Sequence, residues 1–215
     1  MISKRLVELG NMIPDCNRLI DVGCDHGLLD IYLCNILKKT KFLATDISSN
    51  ALDNAKKNIS ANNLENRIET KLTDGLNDVE LSKDDFIVIS GMGTNTIIKI
   101  LKPYLDSINN IIIQSNRDLE SLRAFMLKNG FGIKEEKIVY DERYYTFIHF
   151  LKMKAKYDDI DIWLGPVIRN SNNCDYFMYL KSKYQKISLN IPENDPRKNE
   201  ILSRLKFLEK LTEKK

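Results

Sequence analysis

The amino-acid sequence predicts an α/β protein with a parallel, doubly wound sheet that is completed by an antiparallel β-hairpin and followed by a pair of helices. Five short apolar segments rich in β-forming residues alternate with helical patterns between residues 19 and 128, as expected of repeated βα units. Two further strand patterns, 134–140 and 144–153, are joined by a short polar turn, which is typical of a hairpin. Beyond residue 174 the apolar residues recur at helical spacing, so this part is predicted to be helical.

The alternation of strand and helix patterns places the carboxyl ends of the parallel strands at one edge of the sheet. The strands are predicted at 19–23, 41–47, 68–73, 86–90 and 111–114. The helices are predicted at 28–37, from Ser48 or Ser49 to about 62, at 94–105 and at 119–128. The fourth strand is apolar throughout, which favours burial on both of its faces.

The chain is predicted to divide at residue 156. Residues 154–161 are polar and typical of a linker. Two apolar patterns at helical spacing, separated by a proline-containing break at 190–196, predict an antiparallel, coiled-coil-like helical hairpin. The patterns consist of Tyr176, Leu180, Tyr184 and Ile187, and of Ile201, Leu205 and Leu208. The predicted domains are therefore residues 1–156, the α/β domain, and residues 157–215, the helical hairpin.

The net charge of +3 is unevenly distributed along the chain. Residues 1–151 contain 19 Lys and Arg against 21 Asp and Glu, whereas residues 152–215 contain 14 against 9. Two interpretations of the basic segment are open. It is either a surface that meets a polyanion or a lysine-rich, solvated helical face.

The composition excludes several classes of protein. No apolar segment approaches the ~20 residues of a membrane-spanning helix, and the first residues lack a signal-peptide pattern. The four cysteines form no C-x-x-C pair, so neither a disulfide framework nor a zinc site is expected. We therefore expect a cytoplasmic protein with reduced cysteines that binds neither a metal ion nor a membrane.

A glycine loop follows the first predicted strand and precedes a helix; it runs Asp21-Val22-Gly23-Cys24-Asp25-His26-Gly27. Its glycines allow a tight turn and a close approach of the backbone to a ligand. The pattern differs from the G-x-G-x-x-G of dinucleotide-binding proteins, and the acidic residue before the first glycine would repel a diphosphate. Its carboxylate can instead accept a hydrogen bond from an ammonium group, such as the amino end of methionine. The loop therefore argues against a nicotinamide oxidoreductase.

Two more acidic residues lie at the carboxyl ends of strands: one ends the second strand, and the other follows the third. Asp46, 25 residues after Asp21, can bond the ribose hydroxyls of an adenosine-containing ligand; alternatively, it caps the next helix together with Ser48. Asp74 can accept a hydrogen bond from the exocyclic amine of adenine; alternatively, it forms an ordinary turn with Gly75. Taken with the glycine loop, both residues indicate S-adenosylmethionine.

The loops after the fourth and fifth strands complete the predicted site. Two glycines in the segment 90–93 allow a close approach to a substrate or to a sulfonium centre. Asn116 either presents its amide to a base edge or caps the following helix, and both interpretations are open. His26 either contacts the reaction centre or is structural, whereas His149 is interpreted as structural. The candidate cofactor-binding residues are Asp21, Gly23, Asp46, Ile47, Asp74, Gly75, Gly91 and Met92.

These motifs resemble the TrmK family of bacterial tRNA methyltransferases, most specifically in Asp21-x-Gly-x-Asp25-His26 and in Ser90-Gly-Met-Gly. A parallel sheet closed by an antiparallel hairpin is also the class I, Rossmann-like methyltransferase arrangement, and the resemblance covers nearly the whole chain. It implies S-adenosylmethionine-dependent methylation of N1 of the adenosine at position 22, in the D arm of tRNA. It also implies that the helical hairpin contacts tRNA phosphates. We expect the enzyme to act as a monomer.

The resemblance further implies which residues meet the target base. Adenine N1 has an in-plane lone pair, so no strong base is required, and catalysis rests on alignment of the reacting atoms. The base must also be exposed from a helical arm. The candidate catalytic residues, which hold the edge of the adenine, are Asp25, His26 and Asn116. The candidate substrate-binding residues are Gly93, Tyr144 and Tyr145.

The chain departs from the TrmK pattern at three positions. Thr94 stands where the family usually has a further glycine, and Ser115 where it usually has proline. Asp30 stands where the family often has proline. These changes affect the stiffness of the loops more than the chemistry of the site.

Other functions compatible with the sequence are a methyltransferase that acts on another RNA or on a small molecule, and a non-catalytic RNA-binding protein. The basic helical hairpin argues against a small substrate, which needs no such surface. The intact acidic loop argues against a loss of catalysis.

Overall fold

The computed structural model describes residues 2–213 and divides into two compact units, one ending at Pro166 and the other beginning at Val167. The predicted division at residue 156 precedes this boundary. Between the two positions, part of the predicted linker forms a short helix (Asp159–Leu164), which packs in the first unit against the helix Leu119–Lys128.

The first unit is built on a seven-stranded sheet in the order β3-β2-β1-β4-β5-β7-β6. Strands β1 to β5 pair in parallel, whereas β7 runs antiparallel to both β5 and β6. This sheet confirms the predicted class I, Rossmann-like fold with its closing hairpin. The strands are β1 (Arg18–Val22), β2 (Lys41–Asp46), β3 (Ile68–Leu72), β4 (Phe86–Met92), β5 (Asn110–Ser115), β6 (Phe131–Asp141) and β7 (Arg143–Lys152).

Within the described part of the first unit, six helices accompany the sheet. Two of them were not predicted from the sequence, because both are short and show little apolar periodicity. The first begins at an N-cap, Ser3, and the last at a capping box formed by Asp158 and Asp161. The helices are α1 (Lys4–Gly10), α2 (Leu28–Ile36), α3 (Ser49–Ala61), α4 (Thr94–Leu101), α5 (Leu119–Lys128) and α6 (Asp159–Leu164).

The central strands are buried on both faces, which explains why their sequences are apolar throughout. One face carries Leu19, Phe42, Ala44, Phe86 and Val88. The other carries Ile20, Val22, Leu43, Ile87 and Ile89. The direction of the strand order reverses between β1 and β4, and open α/β sheets bind ligands at the carboxyl edge of such a reversal.

The second unit contains a 3₁₀ turn (Ile168–Asn170) followed by α7 (Cys174–Asn190) and α8 (Lys198–Glu213). The two long helices pack together as an antiparallel pair: Arg204 donates a hydrogen bond to the Tyr184 hydroxyl, and Lys198 to the carbonyl of Ser188. On α8 the buried residues follow helical spacing, at Ile201, Leu205 and Leu208. Across residues 2–213, no helix is both long enough and apolar enough to cross a membrane.

Candidate active site

A cavity of about 690 Å³ opens at the carboxyl ends of β1, β2 and β4. This volume lies within the usual range for small-molecule sites. Most of the sequence-predicted site residues line the cavity, namely Asp21, Gly23, Asp25, His26, Asp46, Ile47, Asp74, Gly75, Gly91, Met92 and Asn116. The predicted substrate-binding residues Gly93, Tyr144 and Tyr145 are not among the lining residues.

The glycine loop is held in a strained, tightly turned conformation. Gly23 has a φ of 78°, and its amide donates a hydrogen bond to the carbonyl of Thr45 at 2.8 Å. A Cβ atom at Gly23 would collide with the side chain of Met92. Asp25 also adopts a positive φ, 51°, which non-glycine residues adopt mainly where the surrounding structure imposes it, often at functional sites.

The Asp46 carboxylate joins the glycine loop to the start of α3. One oxygen accepts a hydrogen bond from the backbone amide of Asp25 at 3.0 Å, and the other from that of Ser48 at 2.8 Å. Ser48 itself is the N-cap of α3. A carboxylate oxygen has two acceptor positions, so each oxygen of Asp46 retains one for a ligand hydroxyl.

Asn116 lies in a hydrogen-bond network that fixes two loops at the mouth of the cavity. Its Nδ2 donates to the carbonyl of Gly91 at 2.6 Å. Its Oδ1 accepts from Gln114 at 3.2 Å and from Arg143 at 3.1 Å. Because both acceptor positions of Oδ1 are occupied, the side chain offers a ligand its remaining Nδ2 hydrogen.

The structure bears on the two interpretations left open for Asn116 and for His26, and on the structural interpretation of His149. Asp118, not Asn116, is the N-cap of α5, and it accepts from the amide of Ser121 at 3.1 Å. His26 lies at the cavity with its Nε2 3.5 Å from the Asp25 carboxylate. His149 is buried in β7 against Phe86, outside the cavity, and burial lowers its pKa to about 4.

The cavity is acidic. Within the part of the chain that the structure describes, four aspartates and a single guanidinium, that of Arg5, line it. Burial raises the pKa of Asp21 to about 7, while a hydrogen bond with Asp30 opposes this rise and the charge of Asp46 adds to it. Such a site favours a cationic ligand over an anionic one. No group of three or more His, Cys, Asp or Glu side chains suited to a metal ion occurs among residues 2–213.

Known proteins resemble this chain in sequence and in fold. A methyltransferase domain model matches residues 2–148. The solved structure of TrmK from M. capricolum, in complex with S-adenosylhomocysteine, is 32% identical and superimposes with a TM-score of 0.84 over 99% of this chain and 98% of that one. The chain belongs to the TrmK family.

Two curated sequences place the chain among the same TrmK relatives. A putative tRNA methyltransferase of Mycoplasma genitalium is 32% identical over 176 residues, which is 79% of each chain. The tRNA (adenine(22)-N(1))-methyltransferase of Bacillus subtilis is 24% identical over 229 residues, covering 98% of this chain and 96% of the relative.

Two of the departures from the TrmK pattern meet in the structure. The buried hydroxyls of Thr94 and Ser115 are 2.9 Å apart, and each donates to the carbonyl of Arg117, at 2.6 and 2.7 Å. These bonds tie the start of α4 to the loop that carries Asn116. Hydrogen bonding therefore stiffens this loop.

Sequence reasoning missed the contribution of α1 to the site. Arg5 lines the cavity, and its guanidinium lies 4.9 Å from the centre of the Tyr145 ring. Arg143 lies 4.8 Å from the centre of the same ring and also bonds Asn116. The ring of Tyr145 thus helps to hold the guanidinium of Arg143 beside Asn116. Tyr145 itself does not line the cavity. This arrangement joins residues more than 130 positions apart, and no local pattern signals it.

Proposed function

We propose that this protein transfers the methyl group of S-adenosylmethionine to N1 of the adenosine at position 22 of tRNA. The chain's place in the TrmK family supports the proposal, as do the S-adenosylhomocysteine complex of the M. capricolum protein and the adenine-22 specificity named for the B. subtilis relative. The proposal places the protein in the cytoplasm, where tRNA is modified.

The acidic cavity is the observation that carries the proposal. Asp21 would bind the ammonium group of the cofactor, and Asp46 would bind its ribose hydroxyls. Asp74 would accept a hydrogen bond from the exocyclic amine of the cofactor's adenine. The backbone leaves room for the reacting centre: a Cβ built at Gly91 or Gly93 meets no atom within 4 Å. S-adenosylmethionine, when bound, supplies a methyl group on a positively charged sulfur.

The chain's own residues then have to position the target base. Adenine N1 attacks through its lone pair, so positive charge moves from the sulfonium to the base as the methyl group transfers. The exposed Asp25 carboxylate would accept a hydrogen bond from the amino group of the target adenine and stabilise this charge. The backbone amide of Asp25 donates a hydrogen bond to the Asp46 carboxylate. This bond connects the residue proposed to bind the target base with a residue proposed to bind the cofactor. The remaining Nδ2 hydrogen of Asn116 can donate to a ring nitrogen other than N1.

Methyl transfer to defined transcripts tests the proposal. Unmodified tRNA incubated with the protein and methyl-labelled S-adenosylmethionine should acquire one methyl group, mapped by mass spectrometry to N1 of adenosine 22. A transcript with guanosine at position 22 should acquire none. Transfer to neither transcript, with the tRNA intact and folded, would contradict the proposal.

The helical hairpin of the second unit offers a surface for the tRNA backbone. Four exposed lysines on α7 and α8 form no ion pair within the described residues, whereas three neighbouring cations, Arg197, Lys198 and Arg204, are paired with acidic residues. Unpaired lysines are available to phosphates, and each phosphate contact releases counterions. The four are Lys183, Lys186, Lys206 and Lys210.

Replacing these four lysines by alanine is expected to weaken tRNA binding and to make it less dependent on salt. The slope of log K against log salt should fall by about one for each lost phosphate contact, while the affinity for S-adenosylhomocysteine stays unchanged. Fluorescence titrations with labelled tRNA at several salt concentrations measure the slope.

A matched variant removes the same number of exposed lysines from the first unit. Its salt slope should remain close to that of the unmodified protein. Equal losses in both variants would show that the hairpin is not the principal tRNA surface. The control positions are Lys38, Lys39, Lys57 and Lys83.

A further inference from the structure

Asp30 lies in the first turn of α2, beneath the cavity, and its side chain has no contact with solvent. Within residues 2–213, no donor of another residue meets either carboxyl oxygen; the backbone amide of Asp30 itself opposes the rise in the pKa of this group. Its polar neighbour is another carboxyl group, that of Asp21, which lines the cavity. Buried polar groups are nearly always hydrogen-bonded, so this arrangement requires an explanation.

Two carboxyl groups can bond to each other only if one of them holds a proton, because an ionised carboxylate has acceptors alone. The charged surroundings favour this state. Asp46, at the end of β2, adds a further negative charge that acts on Asp21. Among the described residues, no Lys, Arg or His forms an ion pair with Asp21 or with Asp30. The guanidinium of Arg5, which lines the same cavity, lies over the Tyr145 ring.

The other titratable groups beside the pair are neutral thiols. Burial raises the pKa of Cys34, in α2, to about 11. Burial and the charge of Asp21 raise the pKa of Cys24, in the glycine loop, above its usual range. Neither thiol therefore supplies a charge to the pair near neutral pH.

We propose that Asp30 is a positioning residue that stays protonated and donates a hydrogen bond to Asp21, so that the charged Asp21 carboxylate is oriented towards the amino end of S-adenosylmethionine. This inference rests on the proposed function, since it assigns Asp21 to the cofactor.

The direction of each pKa shift agrees with this assignment of the proton. Burial first, and then the charge of Asp21, raise the pKa of Asp30 well above its ordinary value. The hydrogen bond from Asp30 works against the rise at Asp21, whose pKa is about 7. Asp21 therefore ionises first, while Asp30 keeps its proton.

The affinity for the cofactor should then depend on pH. Because the pKa of Asp21 is raised to about 7, its carboxyl group is mostly protonated at lower pH. Below that pH, binding of the cofactor's ammonium group requires Asp21 to lose this proton, so the affinity falls. The affinity for S-adenosylhomocysteine should fall roughly 15-fold between pH 7 and pH 5.5, which follows from one proton and this pKa.

Two substitutions separate a donated hydrogen bond from a purely structural role. Asp30→Asn keeps a donor towards Asp21, so its affinity and pH profile should match those of the unmodified protein. Asp30→Leu has a similar size but no donor, so the pKa of Asp21 should rise further. Calorimetry with S-adenosylhomocysteine should then show about fivefold weaker binding at pH 7 and a midpoint about one pH unit higher.

Three results would overturn the inference. A leucine variant with an unchanged affinity and midpoint would show that Asp30 does not act on Asp21. Equal, pH-independent losses in both variants would indicate a structural role alone. Tighter binding by Asp30→Asn below pH 7 would show that Asp30 is ionised and repels Asp21.

An infrared measurement tests the proton directly and needs no cofactor. The difference spectrum between the unmodified protein and Asp30→Asn at pH 7 should contain the carbonyl band of a protonated carboxylic acid. Absence of this band would overturn the inference, even if Asp30→Leu fails to fold. Failure of the unmodified protein to bind S-adenosylhomocysteine at pH 8 would instead contradict the proposed function, because Asp21 is then ionised.

Discussion

Replacing Asn116 by alanine is expected to lower kcat for tRNA methylation about 100-fold. The side chain joins three parts of the mouth of the cavity, because it bonds Gly91 in one loop, Gln114 at the end of β5 and Arg143 at the start of β7. Methyl transfer to N1 depends on alignment, and a displacement of ~1 Å can cost ~100-fold in rate. Single-turnover kinetics with saturating tRNA and S-adenosylmethionine measure the effect.

The loss should appear in the chemical step and not in cofactor binding. The acidic residues proposed for the cofactor, Asp21, Asp46 and Asp74, make no hydrogen bond to Asn116 in the structure, so the Kd for S-adenosylhomocysteine should change less than threefold. Asn62→Ala, an exposed substitution at the end of α3, is the matched control and should leave kcat unchanged. A normal kcat in Asn116→Ala would remove this residue from the proposed machinery.

The sheet could be predicted from the sequence because its central strands are buried on both faces and are therefore apolar without interruption. Phe86 to Ile89 is such a segment, and all four residues are buried. The closing hairpin could be predicted because its turn is short and polar. By contrast, α1 is a helix of only seven residues, stabilised by its packing against the rest of the unit, and periodicity carries little information at that length.

The acidic residues of the candidate site could be predicted because each lies at the carboxyl end of a strand or within a few residues beyond it, and the carboxyl ends of parallel strands meet at one edge. The supporting contacts could not be predicted in this way. Asp30 is the third residue of α2, and no sequence pattern indicates that it faces Asp21. The contact of Thr94 with Ser115 and that of Arg5 with Tyr145 likewise depend on the register of distant elements, which only the folded chain defines.

Glu136→Leu is expected to lower the free energy of unfolding of the first unit by about 3 to 5 kcal/mol, the usual cost of breaking a buried ion pair. Glu136 in β6 lies 2.8 Å from the guanidinium of Arg123 in α5, and both side chains are buried. Arg123 also donates to the carbonyls of Ile162 and Trp163. The pair therefore joins the sheet and α5 to α6, just before the boundary between the two units.

The size of the effect follows from the chemistry of arginine. A buried carboxyl group that has no partner becomes neutral by taking up a proton, whereas a guanidinium stays charged because it does not lose a proton near neutral pH. Without the carboxylate, the buried Arg123 would keep its charge with only two backbone carbonyls as acceptors. For a unit of this size each kcal/mol shifts Tm by ~2–4 °C, so calorimetry should record a decrease of roughly 6 to 20 °C.

Two further variants distinguish the ion pair from other consequences of the substitution. Glu136→Gln keeps an acceptor for Arg123 and should lose less stability than Glu136→Leu, because only the charge is removed. Glu135→Leu alters the adjacent, exposed residue of the same strand, and exposed charges contribute little, so its Tm should change by at most about 2 °C. If the leucine variants at the two positions were equally stable, the charge of Arg123 would be compensated elsewhere. The link between α6 and the sheet would then rest on packing alone.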